Sequence, residues 1–192
     1  MRTFFAVPGD AAWVASAREF TARIRPRLPA AAWTEPGSWH LTVRFLGEIT
    51  EAAAERFSEA IAPAAAALLE TELPVAGPVV VPSRGRPRVL GMSFGAVQAL
   101  GEVARAAEET ARAIGCAPEE RPFRPHVTLA RLRGPWPTAA VEEYCESARA
   151  WAFPAWRVRS VVLYRSRLDA AGAVHTPVRE WTAAGAVAGA RA

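Results

Sequence analysis

One order of elements runs through this chain twice, and that repetition restricts its fold more than any other feature. TFFAV (residues 3–7) is an aromatic and β-branched run closed by Pro8-Gly9, the mark of a buried strand and a turn. Asp10 can then cap a helix whose apolar stripe, Trp13, Ala17, Phe20 and Ile24, keeps helical spacing until Pro26. A Pro- and Ala-rich link leads to HLTVRFLG (residues 40–47), a strand. Thr50 caps a second helix carrying Phe57, Ile61, Ala64 and Leu68, and residues 74–82 return to strand. Pro63 inside that pattern predicts a kink or an early end.

The second half follows the same plan. Residues 88–94 (RVLGMSF) read as a strand, and residues 97–114 as an Ala-rich helix with Leu100, Ala104, Ala107, Ala111 and Ile114 on one face and Gly115 past its end. HVTLAR (residues 126–131) is the next strand, followed by a helix over 138–150 and a strand over 158–166. Each half is therefore strand, helix, histidine strand, helix, strand, an internal duplication at the level of architecture. The halves span about 1–82 and 87–166, and PSRGRPR (residues 82–88) reads as a linker between them. A last strand is expected over 173–181. Residues 1–182 should make a single domain, with 183–192 a compositionally simple, flexible tail.

Of the chain's three histidines, two occupy matching places in this duplicated pattern. Strand alternation puts His40, Thr42 and Arg44 on one face and Leu41, Val43 and Phe45 on the other, packed against helices. His126 and Thr128 stand in the same relation to Val127 and Leu129. A rough two-fold between the halves would turn the two polar faces toward each other across a cleft. Imidazole can accept or donate a proton near neutrality, so such a pair can hold one member in each state. In-line displacement at a phosphodiester needs that division of labour, with the threonine hydroxyls donating to the non-bridging oxygens. The scheme calls for no metal and no cofactor. His175 has no comparable context and reads as a surface or strand residue.

Composition narrows the chemistry. All 23 basic residues are arginine, since the sequence contains no lysine. That excludes a nucleotidyl-lysine, a lysine Schiff base and a P-loop lysine, while favouring bidentate phosphate recognition. A net charge of +4 and a sequence pI of about 10.0 suit an anionic partner. Cys116 and Cys145 show no metal-ligand spacing and read as small buried hydrophobes. MRTFFAVPGD is too short in apolar residues for a signal h-region, and no run approaches a membrane span, so a soluble cytoplasmic protein is expected.

RTFFAV, HLTVRFLGEIT, RPFRPHVTLAR and YRSRLDAAGAVHTPVREW together resemble the two-histidine (2H) phosphoesterases, in particular the RNA 2′,3′-cyclic phosphodiesterases or LigT-type 2′-5′ RNA ligases. The resemblance implies a bilobal α+β fold, two antiparallel sheets flanked by helices around a central groove. It also implies hydrolysis of RNA 2′,3′-cyclic phosphate ends to 2′-phosphomonoesters, with nucleotide-independent 2′-5′ ligation as the reverse kind of reaction. Carried over by motif, His40 is the proton donor, His126 the proton acceptor, and Thr42 and Thr128 hold the phosphate. Arg131 matches an arginine of the second motif and becomes a phosphate ligand, although strict alternation sets it opposite His126 unless a β-bulge intervenes. Arg44, on His40's face, becomes a second substrate contact. His175 stands where the family usually has tyrosine. Two other readings remain: the same catalysis on a small cyclic nucleotide, a nucleotide-sugar cyclic phosphate or a 2′-5′ oligonucleotide, and an RNA-binding module without turnover. A groove between lobes of one chain implies that a monomer suffices.

Overall fold

A computed structural model describes residues 1–169 and 172–188. The chain runs β1 (Arg2–Pro8), α1 (Ala11–Ile24), β2 (Ala32–Trp33), β3 (His40–Glu48), α2 (Glu51–Leu68), β4 (Glu72–Leu73), β5 (Val75–Ser83), β6 (Arg86–Phe94), α3 (Gln98–Ala113), β7 (His126–Arg131), α4 (Thr138–Ala150), β8 (Trp156–Arg157), β9 (Ser160–Asp169), β10 (Gly172–Thr182) and β11 (Gly185–Ala188). Asp10 and Thr50 cap α1 and α2 by accepting from Trp13 N at 3.2 Å and Ala53 N at 3.1 Å. Helix α2 runs through Pro63 without a break, because Pro63 lies on its exposed side, where water can satisfy the carbonyl left without a donor.

Among the described residues, nine strands form one antiparallel sheet in the order β11-β10-β9-β1-β3-β7-β6-β5, with β2 also beside β7. The expected α+β architecture and duplication are present, and the register of the middle explains the bilobal shape. Strands β3 and β7 pair only at Leu41 and Val127, so two half-sheets meet at one point. Buried Leu41, Val43, Val127 and Leu129 turn to the core, as alternation requires.

The spatial lobes are not the sequence halves. β5, from the first half, closes the sheet of β6 and β7, while β9, from the second, lies against β1. Helices α2 and α3 pack together over β3, β9 and β10, and α4 packs on β5. Each half thus lends an outer strand to the other's lobe. The stretch expected to be a linker is a hairpin instead, with Ser83 opposite Arg86. Part of the expected tail is strand β11, paired with β10, and residues 189–192 lie outside the described residues.

Two β-bulges reset the side-chain alternation. On β3, Ala6 pairs with Thr42 and Phe5 with Arg44, leaving Val43 as the extra residue. On β7, Gly91 pairs with Thr128 and Leu90 with Ala130, leaving Leu129. Each bulge comes three residues after its histidine, and beyond it the faces exchange. Arg44 therefore does not share the face of His40. It is 8% exposed, turned toward α3, where Nε donates to Glu108 at 2.6 Å and the guanidinium also donates to the carbonyls of Phe45 and, at 2.5 Å, Ala117. Its expected substrate contact is replaced by a structural clamp. Phe45, expected in the core, is 55% exposed for the same reason.

The bulge on β7 brings backbone so close to β6 that a Cβ on Gly91 would sit 2.1 Å from the Val127 carbonyl oxygen. Tyr144 pins that strand further, its hydroxyl donating to Gly91 O at 2.6 Å. Gly91→Ala is expected to lower stability by roughly 1–3 kcal/mol or more, read as a reduced urea midpoint. Arg44→Ala should lose roughly 1–3 kcal/mol, because it removes a buried donor from Glu108, which keeps Arg112, and from two carbonyls, yet leave the turnover of the remaining folded protein near the parent's.

Candidate active site

His40 opens β3 after a short 3-10 turn at Pro36–Ser38, and His126 opens β7 after an Arg- and Pro-rich approach. Both are half-buried, as are Thr42 and Thr128. Each histidine is held the same way. His40 Nδ1 donates to the Ser38 carbonyl at 2.7 Å and His126 Nδ1 to the Arg124 carbonyl at 2.8 Å, two residues upstream in both cases. A carbonyl can only accept, so Nδ1 carries the hydrogen in both rings and Nε2 is left for chemistry.

The Leu41–Val127 pair fixes how the four polar residues face one another. In an antiparallel register centred there, His40 lies across from Thr128 and Thr42 across from His126. The two histidines are then diagonal neighbours, about 7–8 Å apart along the backbone. A tetrahedral phosphate fits between two imidazoles so placed, flanked by two hydroxyls. Beyond this one pair the strands separate, which opens the groove.

Arg131 lies past the Leu129 bulge and so returns to the face of His126; it is exposed, and its charge bears on His40. The bulge raised as a condition in the sequence is therefore present. Phe45 is the corresponding residue of β3, so equivalent positions carry a cation on one strand and an aromatic ring on the other.

Three further groups complete the site, none visible in the two motifs. Phe4 of β1 packs its ring 4.8 Å from that of His40, and Tyr164 of β9 stacks on Phe4 at 5.2 Å. His175 of β10 stands 5.3 Å from His40, edge to face at 88°. The reading of His175 as a residue without site context is thus corrected, since its ring packs against that of His40. No local sequence signal could have revealed this. β10 reaches β3 only across β9 and β1, through registers set far along the chain.

The electrostatics of the site centre on His40. Burial holds His40 down at about 4, further lowered by His175, Arg131 and His126 and only partly offset by the bond to Ser38. His175 is also lowered by burial, and burial with the Glu180 charge pushes the Tyr164 phenol up to about 12. His40 is therefore neutral at pH 7 in the free protein. Because its folded value lies below the unfolded 6.5, the unfolded chain binds more protons in between, and stability falls as pH drops from 6.5 to about 4. The loss expected from this group is on the order of 3 kcal/mol. Replacing it by His40→Asn should flatten that slope in urea titrations run at several pH values. Imidazole NMR of the parent should place the midpoint near pH 4, and an ordinary midpoint near 6.5 would contradict the burial argument.

The chain is similar to known proteins in sequence and in fold. The family model described as LigT like Phosphoesterase matches residues 12–91 and 95–175, two consecutive stretches that cover most of the chain. A protein of Aeropyrum pernix named RNA 2′,3′-cyclic phosphodiesterase is 31% identical over 153 residues, 78% of this chain and 85% of that protein. One of Geobacillus stearothermophilus with the same name is 27% identical over 169 residues, 86% of this chain, and the chain spans 52% of its length. Among solved structures, TT0787 of Thermus thermophilus superposes with a TM-score of 0.75 at 26% identity, covering 96% of this chain and 99% of that one. Apo E. coli LigT gives 0.70 at 22% identity, covering 94% and 96%, a likeness of fold.

Proposed function

The chain belongs to the LigT-like phosphoesterase family, and from that premise we propose that it hydrolyses RNA 2′,3′-cyclic phosphate ends to 2′-phosphomonoesters without a metal. One observation carries the proposal: two histidines, each anchored through Nδ1 to the carbonyl two residues upstream, stand beside the one residue pair that joins β3 to β7. The curated relatives named RNA 2′,3′-cyclic phosphodiesterase support the choice of substrate.

His126 Nε2 takes a proton from water as the water oxygen attacks phosphorus. The bond from phosphorus to O3′ breaks on the opposite side, and O3′ takes the proton from His40 Nε2, leaving a 2′-phosphate. Each transfer contributes about 10² to 10⁴ in rate. Thr42 and Thr128 donate to the non-bridging oxygens and Arg131 holds the phosphate charge. The role of donor comes to His40 from the family resemblance, while the free protein keeps His40 neutral. Its proton therefore arrives with the substrate, because an anionic phosphate beside the ring favours imidazolium. A 5′-hydroxyl of RNA in place of water gives 2′-5′ ligation, driven by the strained cyclic ester and independent of any nucleotide.

The groove draws every one of these groups from one chain, so a monomer is sufficient, and residues 1–182 act as one domain. Among the described residues no helix is long and apolar enough to cross a membrane. Two free cysteines, Cys116 and Cys145, suit a reducing compartment, which we take to be the cytoplasm.

The test is a short RNA bearing a 2′,3′-cyclic phosphate, incubated with the protein and EDTA and followed by phosphorus NMR. The parent should give the 2′-phosphate, and His40→Ala and His126→Ala should each slow it by about 10²-fold or more. A cyclic phosphate that survives the folded parent would refute the RNA assignment and direct attention to small cyclic nucleotides.

A further inference from the structure

His175 is the third histidine of the chain, and packing alone does not account for it. Its ring lies edge-on to Phe4 at 4.8 Å and to His40 at 5.3 Å, with Tyr164 at 6.2 Å. A phenylalanine would fill such an aromatic nest as well. His175 instead buries Nδ1 with no hydrogen-bond partner among the described residues, which is unfavourable. A buried bare lone pair is tolerated better than a buried unbonded N–H, so Nδ1 is the unprotonated nitrogen and the hydrogen resides on Nε2. The ring as a whole is only half-buried, and Nε2, unlike Nδ1, is not among the buried atoms left without a partner, so it is the nitrogen available to a ligand.

We propose that His175 is a substrate-contacting residue whose Nε2–H donates to the phosphate, or to the sugar oxygen bonded to it, on the His40 side of the groove. This rests on the phosphodiesterase reading and deepens it. The anion bound between His40 and His126 then has donors from three strands, β3, β7 and β10. His175 moves no proton. Its donor strengthens the hold on the negative charge that builds up as the bond to O3′ breaks.

Two variants separate this role from packing. His175→Phe keeps the ring and removes the donor, and should lower kcat/KM on the cyclic-phosphate RNA about tenfold while leaving the thermal midpoint unchanged or higher. His175→Gln keeps an N–H donor and should retain most of the activity. A His175→Phe enzyme as fast as the parent would overturn the proposal. A second readout does not depend on turnover: in imidazole nitrogen spectra of the parent, titration with inorganic phosphate should shift the His175 Nε2 resonance. A His175 resonance that stays fixed as phosphate is added overturns the contact. If the parent does not open the cyclic phosphate, the functional reading fails, and the phosphate titration still decides the role of His175.

Discussion

A single antiparallel pairing, Leu41 against Val127, holds the molecule's two half-sheets together and sets its active groove. Both side chains are fully buried, so the junction is fixed from the core side by packing as well as by hydrogen bonds. The groove side of the same junction carries the polar residues that flank each partner. A longer ladder would have joined the half-sheets flush and left no cleft. With no pairing at all, nothing would hold the two histidines in register. One pair keeps them within reach of a common phosphate and lets the strands diverge around it.

The topology interlocks around that junction. β5 and β9 each cross to the lobe built around the other half's histidine strand, so each lobe is completed by a strand from the other half of the chain. The bulges after each HxT then place their residues differently from simple alternation. One sends Arg44 down to clamp Glu108 on α3 and raises Phe45, and the other lowers Ala130 into the core and raises Arg131. A glycine opposite the second bulge is needed because the displaced backbone of β7 occupies the space of a Cβ. Near-symmetry of backbone thus coexists with asymmetry of function along the two strands.

The same asymmetry governs charge. His40 sits among Phe4, Tyr164 and His175 and is stripped of water, whereas the β7 strand brings the cation of Arg131. A site composed this way sets a neutral imidazole within reach of a fixed cation. With no lysine anywhere in the chain, every fixed positive side chain is a guanidinium that stays ionised through this range.

The sequence alone determined the order of elements, the duplication and the two histidine motifs, because strand and helix periodicities and capping residues are local properties. The meeting of the two histidine strands was legible too, since it needs only two HxT strands in matching positions of the duplicated pattern. The fates of Arg44, Phe45 and Arg131 were not, because a bulge depends on how the neighbouring strand pairs and shifts alternation by one residue. Nor were the strand that each half lends to the other, the hairpin at PSRGRPR, and the presence of Phe4, Tyr164 and His175 around His40. Those were decided by tertiary structure, where burial of apolar faces chooses which distant strands become neighbours and thereby which side chains share a groove.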